Sequence, residues 1–174
     1  MDLSHNPLVS KAYASPKLRQ LILNTGTMFL YCDYSGFASH NVYGAACCTV
    51  FNQTISVSAT RLPITSDQGS NYGEMMAIIF SLETLAAASA SLEHQPKIAV
   101  IYTDCIRISH LLSHSQLQEK PGRQELLTAL ANFNRLFPDI VIQIKYISKH
   151  KKNNYLHRLA HNAARDAALS VTLS

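Results

Sequence analysis

The sequence predicts one α/β domain: a mixed sheet of five strands with helices on both faces. Two observations carry this expectation. Three largely apolar segments, the second and third β-branched, follow one another up to Leu62, and from Asn71 the hydrophobic period changes from strand-like to helical. Two further apolar runs, Lys97–Thr103 and Ile140–Ile147, are then separated by helical segments, the pattern of parallel strands joined by crossovers. With 174 residues, 47% of them hydrophobic and 15% charged, the chain can supply a core for such a domain.

Residues 1–25 are turn-rich, with Ser15-Pro16 suited to start a short helix through Lys17–Leu23, and are expected to form an N-terminal extension or arm before a domain spanning 26–174. Thr27-Met-Phe-Leu-Tyr-Cys32 reads as a strand buried on both faces, ending at Asp33 with a turn at Ser35-Gly36. Val42–Phe51 and Ile55–Leu62, separated by Asn52-Gln53-Thr54, suggest an antiparallel hairpin. Glu74 to Ala90, rich in Met, Leu, Ala and Ile, predicts a long and mostly covered helix, and Pro96 marks the break before the fourth strand. A short helix over Ile106–Leu112, a loop over Gln116–Gly122, a helix over Gln124–Phe137, the fifth strand and an Ala-rich helix over Tyr155–Leu173 complete the order β-β-β-α-β-α-α-β-α.

No run of roughly 18 uncharged apolar residues appears and no secretory signal is read, so a soluble, cytoplasmic protein is expected. Cys32, Cys47, Cys48 and Cys105 lie in or beside apolar runs and form no CxxC pair, which predicts reduced core thiols. His157 and His161 share i, i+4 spacing but lack the glutamate of an HExxH site, so zinc is not expected there. The net charge is only +4, yet Lys145, Lys149, Lys151, Lys152, Arg158 and Arg165 crowd one segment without an intervening acid, a footprint suited to phosphate or to a solvated face. No GxGxxG or Walker loop is present to cradle a nucleotide cofactor.

Four acids stand in apolar contexts. Asp33 and Asp104 each follow an apolar strand. Glu74 shares a helical face with Ala77, Ile78, Leu82 and Leu85, and Asp166 is read on a largely apolar face with Leu159, Asn162, Ala163, Leu169 and Leu173. A carboxylate on a core-facing position is costly unless a cation or hydrogen bonds compensate it. Hard divalent cations take such oxygen ligands, and a pair of them about 3.5–4 Å apart suits phosphodiester hydrolysis. The four acids are therefore expected to converge.

The motifs resemble those of type 1 ribonuclease H over roughly residues 27–170. Tyr31-Cys-Asp33-Tyr-Ser35, followed by Tyr43-Gly44-Ala45-Ala46, is similar to the first catalytic aspartate and the second strand of that family. Asn71-Tyr-Gly-Glu74-Met-Met-Ala77 is similar to its Asn-x-x-Glu-x-x-Ala helix start, and Thr103-Asp104 to its Thr-Asp-Ser. Asn162-Ala-Ala-Arg-Asp166 is similar to its Asn-x-x-x-Asp-x-Leu-Ala helix, and His150 stands where the family has a loop histidine that assists catalysis or product release.

The resemblance implies a ribonuclease H-like fold with strand order 3-2-1-4-5. It implies a metal-dependent endoribonuclease acting on the RNA strand of RNA/DNA hybrids, with Mg²⁺ (or Mn²⁺) as cofactor, two ions when substrate is bound. Asp33, Glu74, Asp104 and Asp166 would be the metal ligands and His150 the helper, while Ser35, Ser70, Asn71, Lys149, Lys151 and Lys152 would contact substrate. The alternatives are another nucleic-acid substrate or a catalytically weak binding or scaffold domain. A monomer is expected, with the N-terminal extension open to a protein partner. The chain departs from the family at Tyr34, which replaces a glycine and is expected to bring bulk near the site, at Cys105 and at Ala167. It also has no tryptophan and no long basic handle near Gln116–Gly122.

Overall fold

The computed structural model describes residues 1–113, 120–148 and 152–170. Strands β1 (Thr27–Phe37), β2 (Val42–Phe51) and β3 (Thr54–Arg61) form an antiparallel meander. Asn52 and Gln53 both adopt positive φ, which turns β2 tightly into β3. Strands β4 (Ile98–Thr103) and β5 (Val141–Tyr146) add to the other side of β1 in parallel, so the sheet order is β3-β2-β1-β4-β5, as expected.

The first strand is longer than its apolar run. Pairing with β2 continues to Phe37↔Val42 and carries it through Ser35-Gly36, which is therefore strand and not turn. Parallel pairing with β4, by contrast, stops at Tyr31↔Tyr102. Asp33 thus lies inside β1, at the point where β1 and β4 part. This is the crevice at the carboxyl ends of parallel strands where open sheets place their ligands.

Among the described residues, six α-helices accompany the sheet: α1 (Pro7–Ala14), α2 (Pro16–Leu23), α3 (Ser70–Ser91), α4 (Ile108–Leu112), α5 (Arg123–Leu136) and α6 (Tyr155–Leu169). Residues of α3, α4 and α5 share one buried cluster with Met28, Leu30 and Cys32 of β1. Those of α1, α2 and α6 share the other with Phe29 and Tyr31. The alternation along β1 thus assigns each helix to a face. Although α3 is long and apolar enough to cross a membrane by length and composition, it lies between the sheet and α5 as a core helix.

The N-terminal residues do more than extend the chain. Asn6 caps α1 by accepting from the Leu8 amide, with Pro7 at the first helical position. Leu8, Ala12, Leu18 and Ile22 then enter the second core cluster beside Leu156 and Ala160 of α6. At Gly44 a Cβ would strike the backbone of α6 at Ala164 and Ala168, so the missing side chain sets how closely that helix seats on β2.

Candidate metal centre

Asp33 has odd parity on β1 and so points toward α6, the opposite way from Cys32 and Tyr34. It is 3% exposed. Asp104 follows the last residue of β4, where the Thr103 hydroxyl accepts from the Cys105 amide and turns the chain, while the Thr103 carbonyl accepts from the Ile147 amide. Against these two acids lies the first turn of α6. Its cap, Asn154, accepts from the His157 amide at 3.0 Å and sets the direction in which the His157 ring leaves the helix.

Ligand atoms of Asp33, Asp104 and His157 lie within 4.8 Å of one another. The His157 ring is buried, 7% exposed, and its Nε2 sits 3.6 Å from Asp33 Oδ1, too far for a hydrogen bond, with no hydrogen-bond partner among the described residues. The second oxygen of Asp33 is held differently: His161 Nδ1 donates to Oδ2 at 2.8 Å from a half-exposed ring. Asp33 is therefore oriented by one imidazole and faced by another.

Two carboxylates this close repel each other by roughly 3 kcal/mol at the effective dielectric of a protein. A buried ring nitrogen without a partner among the described residues adds a further desolvation penalty. A divalent cation relieves both. Donors bound to one ion at about 2.0–2.2 Å stand about 3–4 Å apart, and the 3.6 Å between His157 and Asp33 falls in that span. The residues present therefore fit a metal.

The structure brings together only part of the expected ligand set. Glu74 is buried at 8% exposure in the second turn of α3, on the opposite side of β1. Its charge, after burial, helps push the thiols of Cys32 and Cys105 up, which places it beside the neighbours of Asp33 and Asp104 but not among the three clustered residues. Asp166 requires a correction. It is exposed, because nine residues along a helix amount to two and a half turns and set it about 180° round and about 13 Å along from His157. The buried stripe of α6 runs through Leu156, His157, Leu159, Ala160, Ala163, Ala164 and Ala168.

His157 is the candidate ligand that the sequence reading set aside, although a signal for it existed. The pattern Asn-x-x-x-Asp-x-Leu-Ala fits Asn153-Asn-Tyr-Leu-His157-Arg-Leu159-Ala160 at every named position except the acid. The stretch from Asn162 to Asp166 keeps the acid but lacks the leucine after it.

Tyr34 also differs from expectation. Its ring turns away from Asp33 and packs where a Cβ on Gly73 or Gly36 would be, so the bulk lies on the α3 side of the sheet. Cys105 reaches Asn71 Oδ1 with its thiol at 3.8 Å, tying the start of α3 to the end of β4. Ser70 and Asn71 line an open groove of about 320 Å³ with Arg107 and Lys120, two cations not singled out in the sequence. Ser35 lies on the Asp33 face of β1, and Lys152, Arg158 and Arg165 are exposed. Lys149, His150 and Lys151 lie outside the described residues.

No protein-family model matches the chain, and no curated protein sequence does. Solved structures do match. Ribonuclease H1 from the halophilic archaeon Halobacterium salinarum superposes with a TM-score of 0.59 at 17% identity, over 82% of this chain and 97% of that one. The chain has a ribonuclease H-like fold. Within that fold, LC11-RNase H1 in complex with an RNA/DNA hybrid matches at a TM-score of 0.56 and 17% identity, over 80% of this chain and 98% of that one. A foamy viral protease-reverse transcriptase in complex with an RNA/DNA hybrid matches at a TM-score of 0.58 and 19% identity, over 86% of this chain but 21% of the viral one.

Proposed function

We propose that the chain is a divalent-metal-dependent nuclease of the ribonuclease H type that hydrolyses the RNA strand of RNA/DNA hybrids. The observation that carries the reading is the convergence of Asp33, Asp104 and the buried His157 at the mouth of a ribonuclease H-like sheet. Asp33, Asp104 and His157 would hold the cation, with Glu74 approaching from α3. Bound divalent metal, Mg²⁺ or Mn²⁺, would activate water for attack on the phosphodiester and offset the charge developing on the phosphate.

The remaining roles belong to the chain's own residues. His161 fixes the Asp33 carboxylate. Arg107 and Lys120, beside Ser70 and Asn71, supply cations and polar groups suited to a duplex backbone and to 2′-hydroxyls, and exposed Lys152 adds a phosphate contact. Two hybrid-bound neighbours of the same fold support hybrid as the substrate class. For His150 the support is the motif alone, and a histidine there would assist proton transfer or product release.

The test is cleavage of a labelled RNA/DNA hybrid with Mg²⁺ and with Mn²⁺, beside duplex DNA and duplex RNA. Wild type should cut the hybrid alone, Asp104→Asn should lose at least about 100-fold of that rate, and Asp166→Asn should retain it. Full activity in Asp104→Asn would overturn the reading. Hybrid binding without cleavage would favour a catalytically weak binding domain.

A further inference from the structure

The donor set at the crevice is not one that a hard cation demands. Magnesium seeks oxygen ligands in near-octahedral arrangement and dehydrates reluctantly, whereas a neutral imidazole is a borderline donor that favours first-row transition ions. Here two carboxylates share their site with a ring more than nine-tenths buried, whose Nε2 stands 3.6 Å from Asp33 and has no hydrogen-bond partner among the described residues. Burying that nitrogen unpaired is unfavourable, and neither Asp33 at 3.6 Å nor its own helix cap satisfies it.

The geometry points to a mixed imidazole-carboxylate centre, Asp33, Asp104 and His157, that binds transition divalent ions such as Mn²⁺ and Co²⁺ in preference to Mg²⁺. His161 acts as a positioning residue for it. Through the 2.8 Å hydrogen bond to Oδ2 it holds the Asp33 carboxylate so that Oδ1 faces His157. Partners of metal-bound carboxylates influence affinity in this indirect way. The inference rests on the reading of this crevice as the metal-dependent centre, but it concerns ion choice, which can be measured without nucleic acid.

Calorimetric titration of the full chain with Mg²⁺, Mn²⁺ and Co²⁺ tests it, together with the visible absorption of the Co²⁺ form and the broadening of histidine ring resonances by substoichiometric Co²⁺. Wild type should bind Co²⁺ and Mn²⁺ at least about tenfold tighter than Mg²⁺, and the His157 ring should be the first to broaden. In His157→Asp the ratio should fall about tenfold, whereas His161→Ala should weaken all three ions about 10- to 100-fold and leave their ratio unchanged. Mg²⁺ binding as tight as Co²⁺ in wild type, or a His157 resonance that Co²⁺ leaves sharp, overturns the inference even if a variant fails to fold. Unaltered affinities in His161→Ala overturn the positioning role. Tight Co²⁺ binding without hybrid cleavage would leave this site standing and remove the nuclease reading, and efficient Mg²⁺-supported cleavage by His157→Ala would do the reverse.

Discussion

At the scale of single residues, parity along β1 decides what each side chain can do. Asp33 and Tyr34 are adjacent in sequence and therefore on opposite faces, so the tyrosine does not crowd the acid. Period-two alternation carries that much without a structure, although the replacement of a glycine by Tyr34 led to the expectation of bulk near the site. What the ring does instead was not legible: it fills the space beside Gly73, which depends on how α3 crosses the sheet. Gly73→Ala should therefore destabilise by about 1–3 kcal/mol through overpacking. In a Tyr34→Ala background the same change should stabilise by up to about 1 kcal/mol, because alanine is the better helix former once the ring is gone. Urea unfolding of the four variants measures the coupling, and additive effects would show that the two residues do not compete for that space.

At the scale of elements, α6 delivers the site, and its cap sets the delivery. Asn154→Ala should cost about 0.5–2 kcal/mol of stability and, by freeing the first turn, weaken metal binding at His157. Thermal unfolding with and without Mn²⁺ separates the two effects, and an equal Mn²⁺-induced rise in Tm in both proteins would argue against the second. This helix is also where reading from sequence went furthest astray. Alanines at 160, 163, 164, 167 and 168 give α6 small apolar residues on several sides, so hydrophobic periodicity does not choose a face. Only docking against Gly44 of β2 and against α1 resolves it, and that docking exposes Asp166 and buries His157. The strands were easier, because each is a long apolar run with turn residues between. Helix α1 was missed because its eight residues mix polar and apolar side chains and bury only Leu8 and Ala12.

At the scale of the whole molecule, the two cores hold all four thiols out of water. Burial is the leading cause that pushes Cys47 up to about 12 from an ordinary 9.0, and Cys32, Cys48 and Cys105 move in the same direction. A thiol with a raised folded pKa keeps its proton in the native state while the unfolded chain gives it up. Its contribution is then fully present below about pH 9 and lost as pH rises toward about 12. Urea midpoints should be flat from neutral to about pH 8.5 and fall above pH 9, with a shallower fall in Cys47→Ala. A midpoint that rises in that range would contradict the assignment.

The packing of α1 beside α6 joins residues far apart in the sequence, with Leu8 and Ala12 in one cluster with Leu156 and Ala160. Synthesis proceeds from the N-terminus, and contacts this distant in sequence form late. A growing chain therefore carries Asp33 and Asp104 before it carries His157, and these three residues come together only when α6 docks.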